Sequence, residues 1–173
     1  ASDVYKRQPV DLAAAAGNAL QILEPQIQRN RIQVHLEGRC LLLHSNEGYM
    51  RELFINLIDN AIKYNNPGGT VSITIEHVGT QAKIVIADNG IGIPLQAQSR
   101  IFERFYRVDK SRSKQRGGTG LGLAIAKWIV DRHGGWFEVR SWPGVGTRMT
   151  IVLPVAELDA GGADEDAEQT RPA

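Results

Sequence analysis

Asn56 and Asn60 lie four residues apart, and Lys63 and Tyr64 follow three and four residues later. At helical periodicity that spacing sets all four on one stripe. Around them the helix carries an apolar face: Leu53, Phe54, Leu57, Ile58, Ala61 and Ile62. Two amides, a cation and an aromatic ring beside a buried face can line a pocket. Amide oxygens suit a hard cation, an ammonium suits phosphate, and a phenol ring suits a base. The same spacing also fits a plain solvated helix face, and the stripe alone does not decide between the two.

Two glycine-bearing segments offer complementary chemistry. Asp88-Asn89-Gly90-Ile91-Gly92 follows an alternating apolar run. Gly90 and Gly92 allow a tight turn and a close approach to a ligand. An Asp at a strand end can accept a hydrogen bond from an exocyclic amine such as adenine carries. Taken alone, the same residues describe an ordinary Asx turn. Further on, Gly118-Thr119-Gly120-Leu121-Gly122 opens a helical pattern. Unpaired N–H groups at a helix start, freed of side chains by glycine, bind phosphate. A dinucleotide fingerprint is rejected, because a basic loop and not a strand precedes it. A P-loop is rejected, because Gly-Lys-Ser/Thr is missing. That basic loop holds Arg107, Lys110, Arg112, Lys114 and Arg116 against Asp109. Beside phosphates it could close as a lid; otherwise it is a solvated loop. Arg107, next to Phe102-Glu103-Arg104-Phe105-Tyr106, is its candidate phosphate contact.

These groups need a scaffold. Residues 10–30 read as a helix, with Leu12, Ala15, Ala16, Ala19, Leu20, Leu23 and Ile27 at helical spacing and Pro25 able to kink or end it. Ile32, Val34 and Leu36 alternate as a half-buried strand, and Leu41–Leu43 reads as a short buried one. Ser45 or Asn46 caps a long helix to about Tyr64. Val71–Ile75 and Ile84–Ile86 form a hairpin around Gly79. A short helix is expected up to about Phe102, and another over Leu121–His133 before Gly134-Gly135. Two final strands, Trp136–Ser141 and Arg148–Leu153, flank Pro143–Gly146. Strands joined by hairpins, with a few helices and no regular alternation, predict an α+β two-layer sandwich: one sheet with helices on one face.

Composition bounds the rest. With 173 residues the chain favours one domain, and 42% hydrophobic content supplies one sizeable core. A net charge of +1 gives no field that points to nucleic acid or to a membrane surface. The single Cys40 cannot form an internal disulfide. No apolar stretch has transmembrane length. Residues 1–8 fit no element that the sequence assigns and are left out of the fold argument, a non-native scar being one reading of them. The domain is placed at 9–155, and the acidic segment 156–173 reads as a disordered tail.

Each motif is modest alone, but their order and spacing resemble those of the ATP-binding catalytic domain of sensor histidine kinases. Asn56–Tyr64 resembles the N box, Asp88–Gly92 the G1 box, Phe102–Tyr106 the F box and Gly118–Gly122 the G2 box. Gly144-Val145-Gly146-Thr147 resembles the last glycine box. The resemblance spans roughly Pro9 to Pro154. It implies the two-layer fold shared with gyrase, mismatch-repair and heat-shock chaperone ATPases, with a mixed, largely antiparallel sheet. It also implies ATP and Mg²⁺. By motif, Asn60 would bind the metal, Asn56 would line the phosphate site and Lys63 would contact phosphates. Tyr64 would pack near the nucleotide, and Asp88, within the loop of Gly90 and Gly92, would read the adenine amine. Gly118, Thr119, Gly120, Leu121 and Gly122 would cradle phosphates. Thr147 would join the site through its box, Arg107 would serve from the lid, and Phe102 and Phe105 would anchor that lid.

The resemblance also separates kinase from hydrolase. Related ATPases carry a water-activating Glu one turn before the magnesium Asn. Here that position is Asn56, and an amide is no general base at neutral pH. Glu52 stands one turn further back, expected out of reach. None of His35, His44, His77 and His133 sits in a phosphoacceptor context, and all four read as structural. The acceptor histidine is then expected on a dimerisation domain upstream in the same parent protein, a homodimer that passes the phosphoryl to a response regulator. The domain itself is expected in the cytoplasm, with no direct membrane contact, and the parent in the inner or plasma membrane. An anti-sigma-factor serine kinase of the same fold is the nearest rival. A nucleotide-binding module without transfer activity is another. The Phe102–Tyr106 segment and the long basic loop favour the histidine kinase.

Overall fold

The computed structural model describes residues 7–108 and 120–155. The elements run β1 (Gln8–Asp11), α1 (Leu12–Ile22), α2 (Glu24–Arg29), β2 (Gln33–Gly38), β3 (Leu42–Ser45) and α3 (Glu47–Lys63). Then follow β4 (Thr70–Val78), β5 (Gln81–Asp88), α4 (Gly122–Arg132), β6 (Trp136–Trp142) and β7 (Gly146–Pro154). Five strands form one sheet in the order β2-β4-β5-β7-β6. Only β2 and β4 pair in parallel; the other three pairings are antiparallel. A parallel pair needs a long crossover, and β3 and α3 supply it.

Alternation on the strands decides the layers. Val71, Ile73 and Ile75 on β4 and Ala82, Ile84 and Ile86 on β5 are buried on one face. Met149, Ile151 and Leu153 on β7 are buried too. Against this face lies α3, flanked by α1 and α4. Phe54, Leu57, Ile58 and Ile62 of α3 are essentially inaccessible, as are Leu12, Ala16 and Ala19 of α1 and Ile129 of α4. Each such large side chain contributes about 1.5–3 kcal/mol by leaving water. The expected sandwich is present.

Several elements depart from the sequence reading. The expected helix over 10–30 is two helices, since the chain breaks at Leu23 and Pro25 sits in the first turn of α2, where its missing N–H is harmless. Residues 8–11 are not helical. They form β1, paired antiparallel with β3, so a two-stranded ribbon joins the single expected sheet. The strand containing Val34 and Leu36 is an edge strand with most side chains exposed. The short helix before Phe102 is one 3-10 turn, Leu95–Ala97, followed by turns. Asn46, not Ser45, caps α3: its Oδ1 accepts from Gly48 N–H and Tyr49 N–H at 2.7 and 3.3 Å.

Candidate functional site

The stripe on α3 divides as its spacing requires. Leu53, Phe54, Leu57, Ile58, Ala61 and Ile62 are buried, while Asn56, Asn60 and Lys63 are half-buried, as is Tyr64 at the helix C-cap. Asn56 donates from Nδ2 to the Glu52 carbonyl at 2.8 Å. The Glu52 carboxylate lies 3.5 Å from the same nitrogen. The other end of the amide points elsewhere. A Cβ added at Gly122 would lie 3.1 Å from Asn56 Oδ1. The N box therefore meets the start of α4 directly, with glycine where they touch.

α4 begins differently from α1 and α3. Asp11 and Asn46 cap those helices with their own side chains. Among the described residues no side chain caps α4. The start of α4, and with it the positive end of the helix dipole, thus lies beside the Asn56 amide, an arrangement suited to an anion. Leu121, Gly120 and Gly122 lie at this start. Gly118 and Thr119 fall outside the described residues, as do Lys110, Arg112, Lys114 and Arg116, so the expected lid is described only at its borders. Arg107 is half-buried on the near side. Those borders are joined, because Phe105 N–H donates to the Gly120 carbonyl at 2.9 Å. Phe102 packs on Phe137 with centroids 4.9 Å apart. The Phe105 ring is 68% exposed, so that residue holds its neighbour through the backbone and not through its ring.

Asp88 ends β5 opposite Thr147. Thr147 is buried, and its hydroxyl lies 2.7 Å from Ser141 Oγ. Gly90 N–H donates to Asp88 Oδ1 at 2.9 Å. Burial raises the Asp88 pKa to about 6, against the opposing pull of backbone hydrogen bonds from Gly90 and Thr147. The loop that follows is wedged between α3 and the β6–β7 hairpin. A Cβ on Gly90 would lie 2.3 Å from the Tyr64 carbonyl oxygen. Gly92, at φ +72°, would bring one to 2.2 Å from the Trp142 carbonyl oxygen. The Asp88–Gly92 loop and the end of α3 are thus in backbone contact, although Asp88 stands 24 positions beyond Tyr64 in sequence.

The Asp88 shift has a definite sign. A carboxyl raised above its unfolded pKa of 3.8 contributes stability that is fully present below that value and lost as pH rises through about 6. The loss amounts to about 3 kcal/mol. Asp88→Asn should therefore make the nucleotide-free domain more stable at pH 7.5 and change little at pH 4, as read by urea unfolding. On the expectation that Asp88 reads an adenine amine, the variant should also weaken ADP, because a neutral amide is the poorer acceptor. Stability and affinity moving in opposite directions is the signature. A variant that is less stable at pH 7.5 would contradict it.

Lys63 Nζ lies 2.8 Å from Asp59 Oδ2, so its ammonium is shared with a carboxylate one turn back. Among the described residues no group of three or more His, Cys, Asp or Glu side chains is placed to hold a metal ion. No described helix is long and apolar enough to cross a membrane. The four histidines stand away from the stripe. His35, His44 and His77 lie on β2, β3 and β4. His133 caps the far end of α4, about 16 Å of helix from Gly122. Its Nδ1 lies 2.7 Å from the Ile129 carbonyl oxygen, and its Nε2 lies 2.7 Å from Ser45 Oγ. A carbonyl cannot donate, so Nδ1 carries the proton and Nε2 accepts from the serine. Burial lowers the His133 pKa, with Arg7 and Arg132 adding to the effect. It is a structural histidine.

Comparison with known proteins places this geometry. The family model described as histidine kinase-, DNA gyrase B-, and HSP90-like ATPase matches residues 45–157. The sensor-like histidine kinase SenX3 of Mycobacterium tuberculosis is 47% identical over 116 residues, 67% of this chain and 28% of SenX3. Among solved structures, the mycobacterial sensor histidine kinase MprB superposes with a TM-score of 0.76 at 30% identity, covering 88% of this chain and 99% of that one. Full-length ShkA in complex with AMPPNP gives a TM-score of 0.75 at 27% identity, covering 89% of this chain and 32% of ShkA. The chain spans about a fifth to a third of the length of the curated relatives it matches.

Proposed function

Because the chain belongs to the histidine kinase-, DNA gyrase B- and HSP90-like ATPase family, we propose that it is the nucleotide-binding half of a protein-histidine kinase. It would transfer the γ-phosphoryl of ATP to a histidine on a dimerisation domain of the same parent protein. The observation that carries the reading is the meeting of Asn56 with Gly122 at the start of α4. Phosphates would lie there, between the N box and the helix dipole. Asp88 would read the adenine amine, with Thr147 beside it and Gly90 and Gly92 shaping the loop. Tyr64 would flank the nucleotide, and Lys63, released from Asp59, would meet the phosphates, with Arg107, Gly118 and Thr119 joining from the lid.

Mg²⁺ fits the same place. Amide oxygen is a hard donor, and Asn60 on the half-buried stripe would hold the ion with water and phosphate oxygens supplying the remaining ligands. Bound there, the metal would offset charge on the phosphates. Asn56 stands where a hydrolytic relative needs its general base, and it cannot take a proton from water. The residues of this chain thus position ATP and stabilise charge, which is most of what phosphoryl transfer asks of a protein. The nucleophile would come from the partner domain, and a response-regulator aspartate would receive the phosphoryl next. The parent protein would be a membrane-anchored homodimer with this domain on the cytoplasmic side.

The test is which acceptor takes label. The dimerisation domain of the parent and a serine substrate of the anti-sigma type are each incubated with this chain and γ-labelled ATP. Acid-labile label on the dimerisation domain is expected, formed slowly because the severed linker no longer supplies a high effective concentration. Acid-stable label on the serine substrate would overturn the assignment in favour of a serine kinase. No label on either would favour a nucleotide-binding module.

A further inference from the structure

We infer that Asn65 and Asn89 are positioning residues that act through Asp88 and so set the preference for an adenine base. The inference rests on the nucleotide-site reading above and adds two residues to it. Asn65, the residue after Tyr64, is 3% exposed. A side-chain amide is costly to bury unless both its ends are paired. Here Oδ1 accepts from Asn66 N–H at 2.8 Å, and Nδ2 donates to the Thr70 carbonyl at 3.0 Å. Asn89, the residue after Asp88, holds the same residue from the other side. Its Oδ1 accepts from Thr70 N–H at 2.7 Å.

Thr70 is therefore gripped at its carbonyl by the end of the N box and at its N–H by the adenine loop. Gly69 fits between the two amides. A Cβ there would lie 2.2 Å from Asn65 Oδ1 and 2.9 Å from Asn89 Oδ1. A further tie runs from Ile91 N–H to the Tyr64 carbonyl at 3.1 Å. Asp88 stands inside this frame, with Gly90 N–H on its Oδ1. Release of Asn89 from Thr70 frees the peptide that carries Asp88, so the carboxylate loses its fixed direction while α3 and the start of α4 stay in place. Phosphate recognition should be spared and base recognition lost.

Asn89 is exposed, so Asn89→Ala leaves the core untouched and serves as the working variant. Asn65→Ala is a supporting variant, interpreted only if its thermal melt stays cooperative. ADP and inosine diphosphate are titrated calorimetrically; the second carries a carbonyl where adenine carries its exocyclic amine. Wild type should prefer ADP. Asn89→Ala should lower ADP affinity about tenfold, the worth of one well-placed hydrogen bond, and leave inosine diphosphate unchanged. In an Asp88→Asn background the same substitution should add less than about twofold, as expected when two residues act as one unit. Equal weakening of both nucleotides would overturn the inference, since that marks general loosening. An unchanged ADP preference in Asn89→Ala would overturn it while leaving Asp88 as the base reader. A wild type with no preference for ADP would overturn the base-reading role itself and this inference with it.

Discussion

Asn60→Ala should abolish phosphoryl transfer to a supplied histidine domain while leaving the fold intact. Asn60 lies on the half-buried stripe of α3, one turn beyond Asn56. The buried side of that helix, Leu57, Ile58, Ala61 and Ile62, is untouched by the change. Alanine is also the best helix former, so thermal stability should hold or rise slightly. The rate is another matter. Loss of a preorganised group that holds charge-neutralising metal at the reacting phosphate costs about a hundredfold or more. Transfer in trans, followed beside a circular-dichroism melt, measures both quantities. A variant that transfers at the wild-type rate would remove Asn60 from the site.

Gly90→Ala should be nearly as damaging, for a reason of space. The added methyl would fall 2.3 Å from the Tyr64 carbonyl oxygen and 2.8 Å from Asn65 Cα. Both are backbone atoms at the end of a packed helix, so the loop and not the helix must move. Ile91 N–H then leaves the Tyr64 carbonyl, 3.1 Å away in this structure, and Asp88 is displaced with it. Overpacking of this kind costs about 1–3 kcal/mol. ADP affinity should fall roughly ten- to a hundredfold on the same scale. Gly17→Ala is the matched control. Gly17 lies inside α1, and a Cβ there meets no atom within 4 Å. That substitution should stabilise the chain by roughly 0.5–1 kcal/mol and leave ADP affinity alone. If calorimetry finds both variants equal in affinity, the wedge at Gly90 does not shape the site.

What was legible in the sequence was local. The apolar spacing of α3, the Asn46 cap and the period-2 alternation of β4 and β5 depend on neighbours a few residues away, and each is found where expected. β1 was not legible, because Pro9 and Val10 gain strand geometry only by pairing with His44 and Leu43. The break at Leu23 was hidden by apolar spacing that runs on to Ile27 across two helices. The site shows the same division. Asn56, Asn60, Lys63 and Tyr64 announce themselves by helical spacing. Asn65 and Asn89 do not, because their importance lies in a shared bond to Thr70, and for Asn89 that bond crosses 19 residues. A hydrogen-bonding side chain directly after Tyr64 and directly after Asp88 was the only signal in the sequence, and it has no periodicity to mark it. The exposure of Phe105 was equally invisible, since the residue sits at φ +64°, a conformation that an aromatic residue in the sequence does not announce.

The central claim is that this chain holds ATP without possessing the nucleophile that attacks it. Incubation of the chain alone with γ-labelled ATP tests that most directly, with bound nucleotide, released phosphate and protein-bound label measured in one sample. The site described here predicts bound ATP, little released phosphate and no label on the chain, with label appearing once the histidine domain of the parent is added. Brisk phosphate release would contradict it and return Glu52, 3.5 Å from the Asn56 amide nitrogen, as a water-activating base. Strong self-labelling would contradict it in the other direction, by making one of His35, His44, His77 or His133 an acceptor.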